Sequence, residues 1–147
     1  MKGIRTERVR GVRVLTSQEL TLKDVSLTYV SKLMRREYTR APLFRKVLQS
    51  ICWQVSSGDQ IFVVGAIQPD NTMKGGTGWG AEFAKICNKP LFVFDQARSS
   101  WFIWKKDVQA ATEKPLIDSP KFTAGTRFLE DNSRLAIHGL FERSFIR

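Results

Sequence analysis

The sequence predicts an α/β fold: a mostly parallel sheet of about four or five strands with helices on both faces. Three observations carry this. Residues 60–95, QIFVVGAIQPDNTMKGGTGWGAEFAKICNKPLFVFD, place two short apolar runs on either side of a glycine-rich turn and a segment of helical spacing. That is the order of one strand-helix-strand unit. Residues 26–55 read as helix with an interruption, and residues 121–127, KFTAGTR, read as a strand that ends in glycine before another helical pattern. With 147 residues and no internal repeat, one domain accounts for the chain.

Taken in order, the N-terminus is crowded with Arg5, Arg8, Arg10 and Arg13. Residues 1–10 are either a flexible basic arm that touches nucleic acid or the approach to an edge strand at Val12, Val14 and Leu15 whose charges deter aggregation; the strand is the preferred reading. Val30, Leu33 and Met34 follow helical spacing, with Lys32, Arg35 and Arg36 opposite. Ala41-Pro42 breaks that helix, and proline suits the first turn of a second one, in which Leu43, Val47, Ile51 and Trp53 face the core. Tyr38 and Arg40 are read first as a solvated helix face and second as phosphate contacts.

Ser56-Ser57-Gly58-Asp59 turns the chain into the first strand of the central unit, residues 61–67. Pro69-Asp70-Asn71 reads as a turn, in which Asp70 hydrogen-bonds local backbone; the alternative sets Asp70 or Asn71 against a ribose or base. Trp79, Phe83, Ile86 and Cys87 recur at i, i+4, i+7 and i+8, and Ala81 and Ala84 permit close approach to a sheet. After Asp95, alternation puts Trp101 and Ile103 on one sheet face, Phe102 and Trp104 on the other. Residues 106–114 read as a linker. Ile137, Leu140, Phe141 and Phe145 give the terminal helix its stripe, and His138 there is read as structural.

Composition bounds the function. Hydrophobic residues make up 42% of the chain, with ten Phe, four Trp and two Tyr, so it is globular. No apolar run approaches the ~20 residues of a membrane span, and the N-terminus lacks the apolar core of a secretion signal. Cys52 and Cys87 show neither metal spacing nor a disulfide framework, so free thiols in the cytoplasm are expected. Neither a metal nor a cofactor is implied, and no Ser-His-Asp arrangement appears. The net charge of +10 fits a solvated basic surface and also favours attraction to polyanions such as nucleic acid.

The chemistry concentrates at the glycine turn. Gly75, Gly76 and Gly78 leave the backbone bare, so peptide N–H groups can face an anion. A helix N-terminus adds unpaired donors and partial positive charge, the setting for a phosphate. Lys74 supplements the charge and Thr77 offers a hydroxyl. Glu82, about one turn into the helix, can lean back over the loop. Asp95 ends its strand where open α/β sheets place ligand contacts, and Gln96 and Trp101 follow as candidates for a base, with Trp104 and Lys105 behind them.

Gly75-Gly76-Thr77-Gly78-Trp79-Gly80-Ala81-Glu82 resembles the GGxGTxxE motif of the LONELY GUY phosphoribohydrolases, the lysine-decarboxylase-like family. The wider resemblance is to the Rossmann-like superfamily that joins them with DNA-processing protein A and putative molybdenum-carrier proteins. It covers residues 60–95. The resemblance implies that Gly75, Gly76 and Gly78 bind phosphate, that Glu82 contacts the sugar, and that the chain forms a homodimer through helices beside the site. In that superfamily the first β-α turn often carries a Gly-Ser-Arg-like signature. Gly125-Thr126-Arg127 is read either as its counterpart, displaced as in a circular permutation, or as a plain turn and a surface charge. In the first case Thr126 and Arg127 reach the same ligand, with Arg127 pairing a phosphate bidentately.

The expectation is a module that binds a small phosphorylated ligand, a nucleotide or a nucleotide-derived signal. Behind it stand an N-glycosidic hydrolase of nucleoside monophosphates, with Glu82 catalytic, and a basic nucleic-acid-binding or structural protein with an idle pocket.

Overall fold

The computed structural model describes residues 10–105, 108–111, 114–126 and 129–146. Among them run α1 (Ser17–Thr21), α2 (Asp24–Met34), α3 (Pro42–Ser57), β1 (Gln60–Gly65), α4 (Gly76–Ile86), β2 (Leu91–Asp95), β3 (Ser100–Lys105), β4 (Val108–Ala111), β5 (Phe122–Gly125) and α5 (Asp131–Phe145). The sheet order is β4-β3-β2-β1-β5. β1 pairs in parallel with both β2 and β5, while β3 is antiparallel to β2 and β4 to β3, so four of the five strands point the same way. The central β1-α4-β2 unit is present with Ile61 opposite Leu91 and Gly65 opposite Asp95.

Helices cover both faces. On one, Ile61, Val63, Leu91 and Val93 pack with Leu27, Val30, Leu48, Cys52, Trp79 and Phe83 from α2, α3 and α4. On the other, Phe62, Val64, Phe94 and Trp101 meet Leu140 of α5 and Ile117. Each of these side chains is nearly free of solvent, worth roughly 1.5–3 kcal/mol apiece. The alternation of β1 and β2 therefore feeds two cores rather than one.

Helix α3 lies against α4 so closely that a Cβ on Gly80 would stand 2.7 Å from Cγ2 of Ile51. The far ends of the two helices are tied as well. Lys89, in the turn after α4, donates from Nζ to the carbonyls of Val55 (2.8 Å), Ser56 (2.7 Å) and Gly58 (2.6 Å). An ammonium on the last carbonyls of a helix satisfies orphan acceptors and complements the dipole. Gln60, buried at the start of β1, accepts from the N–H groups of Asp118 (2.9 Å) and Ser119 (3.1 Å) and donates to Leu116 O (3.2 Å), so it fixes the approach to β5.

Several expectations are corrected. Residues 12–16 form no strand; Thr16 instead caps α1 in a capping box with Glu19, a pattern legible in Thr16-Ser17-Gln18-Glu19. Arg10 and Arg13 are exposed, whereas Arg5 and Arg8 lie outside the described residues. The linker expected at residues 106–114 carries β4. Core stripes are rotated: α2 buries Leu27, Val30 and Met34 but exposes Leu33, and α3 buries Leu48, Gln49, Cys52 and Val55 while Leu43 and Val47 are exposed. Ile86 and Cys87 are exposed at the end of α4, and Phe141 and Phe145 stay on the surface, packed against each other and against Phe122.

Candidate functional site

The loop between β1 and α4 is a small hairpin in its own right. Ile67 bridges Met73, Gln68 N–H bonds Thr72 O at 2.8 Å, and Asn71 adopts φ 66° to close the turn begun by Pro69. Asp70 is spent locally: its Oδ1 accepts from Thr72 Oγ1 (2.6 Å) and Thr72 N (3.0 Å). Those hydrogen bonds, with a smaller contribution from the charge of Arg36, hold its carboxyl below the usual carboxylate range. The turn reading of this segment is what the structure shows.

Gly75 is the N-cap of α4 with φ 72°, a conformation that disfavours side chains. Helical geometry leaves the N–H groups of Gly76 and Thr77 without intrahelical acceptors. The next, Gly78 N–H, turns back to Gly75 O at 3.1 Å. In front of Gly76 and Thr77 opens a cavity of about 480 Å³. Its walls are Phe44, Val47, Ile51 and Val55 of α3, the edge of β1, and Gly80. Thr123, Gly125 and Thr126 close it from β5, the parallel neighbour of β1. Most of this lining is apolar. No charged side chain among the described residues takes part.

The sequence-derived candidates are thus divided. Gly76, Thr77 and Thr126 come together around the cavity, with Gly125 beside them. Arg127 lies outside the described residues. Lys74 and Gly75 are exposed on the loop. Gly78 faces inward, where a Cβ would meet Met73 O at 2.1 Å. Glu82 pairs with Lys85, 2.6 Å from its Nζ, and borders a separate hollow with Asp70, Asn71 and Trp104, away from the cavity in front of Gly76. Lys85 also lies 3.5 Å from the centroid of the Trp104 ring.

Asp95, 2% exposed, accepts from Ala97 N (3.1 Å) and pairs with Arg98 (3.4 Å), which organises the turn into β3. Gln96 continues the ladder from its N–H to Gly65 O at 2.9 Å, and its carbonyl accepts from Asn132 of α5. Trp101 is buried on the far face of the sheet, edge-on to Phe62 and Phe94. Lys105 ends β3. Tyr38 packs beside Trp79 and donates to Asp24, while Arg40 is exposed.

No family model, no curated protein and no solved structure matches the chain. The arrangement of side chains has to speak for the site.

Sequence reasoning missed two parts of it. The first is the α3 wall, because Val47 and Ile51 carry the spacing of a core stripe and were assigned to one. The second is Arg36, which reaches from the end of α2 to the glycine loop across more than thirty positions of sequence. A basic residue beside a helix end gives no local sign of that reach. Among the described residues no group of His, Cys, Asp and Glu is placed to hold a metal ion.

Proposed function

We propose that the chain binds a small ligand carrying one anionic group, a nucleotide or nucleotide-derived molecule, with the anion against the N–H groups of Gly76 and Thr77. The observation that carries this reading is the shared cavity: the N-terminus of α4 and the end of β5 face one hollow of about 480 Å³, large enough for such a ligand. Thr77 adds a hydroxyl, and Thr126 lies on the neighbouring strand end. Phe44, Val47 and Ile51 offer an apolar wall for a flat or aliphatic body. The likeness of residues 75–82 to the phosphoribohydrolase motif supports the same assignment.

Binding is favoured over N-glycosidic hydrolysis. An oxocarbenium-like ribose needs a carboxylate close by, and Glu82 is held by Lys85 on another side of α4. No other acid lines the cavity among the described residues.

Gly76→Asp tests the reading cleanly. A Cβ at Gly76 has only Leu48 Cδ2 nearby, at 3.9 Å, so the variant folds while its carboxylate repels the anion. Titration with adenosine 5′-monophosphate should show binding by the wild type and none by Gly76→Asp, and chromatography of the incubation should show no released adenine. Failure of the wild type to bind any nucleoside monophosphate removes the proposal; release of base moves it to hydrolysis.

A further inference from the structure

Arg36 is the one guanidinium of the described chain that reaches into the glycine loop, and its bonding is unusual. At the end of α2, Arg35 takes φ 55° as the C-cap, which turns the backbone and lays Arg36 across the loop. Its Nη2 donates to Gln68 Oε1 (2.7 Å), Thr72 Oγ1 (3.1 Å) and Met73 O (2.9 Å), and its Nη1 to Gly75 O (3.3 Å). Each acceptor is neutral, and no carboxylate of the described residues forms an ion pair with it. The guanidinium is therefore bound to neutral groups, with the Asp70 carboxylate acting on it at one remove through Thr72, and it sits directly behind the first turn of α4, where Nη1 lies 2.8 Å from the point a Gly78 Cβ would occupy.

We infer that Arg36 is the positioning residue of the anion seat: its fork gathers the carbonyls of Met73 and Gly75 inward and holds the Gly76 and Thr77 N–H groups toward the cavity. The inference rests on the ligand reading above for its consequence, but its geometry stands independently. A planar fork can serve four acceptors that diverge from one point, whereas the ammonium of lysine presents a compact charge without that spread. Released from the guanidinium, the Met73 carbonyl would be free to swing toward the cavity and oppose an anion there, while Gly75 O would be left to the Gly78 N–H alone. The same packing explains Gly78, which must be bare because Met73 O and Arg36 occupy the space a side chain needs.

The test uses Arg36→Met, Arg36→Lys and Arg36→Ala in the full chain, with thermal midpoint, amide hydrogen exchange and adenosine 5′-monophosphate affinity measured on each. Exchange at Lys74 and Gly78, whose N–H groups are bonded to Ala66 O and Gly75 O, should accelerate by about tenfold or more in Arg36→Met while the amides of β1 and β2 keep their rates, the loss expected when the loop's charge-assisted hydrogen bonds go. Affinity for the nucleotide should fall about tenfold in Arg36→Met and recover little in Arg36→Lys, which keeps the charge but not the fork. Added guanidinium, but not ammonium, should restore slow exchange in Arg36→Ala. Unchanged exchange at Lys74 and Gly78 in a folded Arg36→Met overturns the inference, as does nucleotide binding by that variant equal to the wild type. If the wild type binds no nucleotide yet guanidinium restores slow exchange in Arg36→Ala, the ligand reading falls and the positioning role of Arg36 stands.

Discussion

Gly78 has no side chain because there is no room for one. A Cβ would lie 2.1 Å from Met73 O, a rigid main-chain atom, so Gly78→Ala must push the loop off α4. Overpacking of this kind costs about 1–3 kcal/mol, and the rigid obstacle places Gly78→Ala at the upper end. Gly75→Ala meets nothing within 4 Å but sits at φ 72° and ψ −160°, a region essentially restricted to glycine, and loses about 1–3 kcal/mol through that conformation alone. Urea unfolding should rank them in that order, with Gly76→Ala within error of the wild type. The glycine run was legible as the turn that opens α4, but the sequence could not say that Gly75, Gly76 and Gly78 serve three ends. Gly75 serves backbone conformation, Gly76 faces the cavity and Gly78 admits Arg36. Glu82 was misplaced for a similar reason: helical spacing sets which face a residue occupies, while the partner that captures it, Lys85, decides where the carboxylate points.

Elements are held together by polar contacts the periodicity does not record. Asp24 opens α2 and accepts from Tyr38 Oη (2.6 Å) in the following loop and from Gln49 Nε2 (2.9 Å) of α3, with Arg45 at 3.3 Å. Burial raises its pKa, but the hydrogen bonds from Tyr38 and Gln49 and the charge of Arg45 together outweigh that and leave it lowered. Burial, and then the Asp24 contact, push the Tyr38 hydroxyl well above the usual phenol range. A lowered folded pKa means the ionised Asp24 stabilises the fold fully above its unfolded value of about 3.9, and that this is lost as pH falls through the folded value. Urea midpoints followed downward from pH 6 should therefore drop more steeply below about pH 4 in the wild type than in Asp24→Asn. Helix existence was readable from spacing, including the start at Pro42. Helix rotation was not. α3 carries apolar residues around more than one face, and packing against α2, α4 and the sheet decides that Leu48 and Cys52 go inward, that Val47 and Ile51 border the cavity, and that Val55 does both.

At the scale of the molecule, the excess charge and the cavity are separate properties. Exposed Lys32, Arg35, Arg40, Lys46 and Lys74 surround the chain's surface without entering the cavity lining. Such charges attract polyanions without reading them. Single-stranded oligonucleotide binding should weaken with salt at a log–log slope of about −2 or steeper, three or more phosphate contacts at roughly −0.7 each. Gly76→Asp should leave that slope unchanged; a slope near zero would show that the surface does not take nucleic acid. The α/β class and the central unit were readable because two short apolar runs and one helix must pack locally. The antiparallel β4 was not, since residues 106–114 lack strand alternation, and Val108–Ala111 gain their order by pairing with β3. Lys89 has one more consequence. By joining the tail of α3 to the turn behind α4, it pins the two cavity walls at one end, like the fused end of tweezers. Any widening to admit a guest must then come from the tips, where Phe44 and Gly76 stand, so entry is from the loop side and the closed end keeps its gauge.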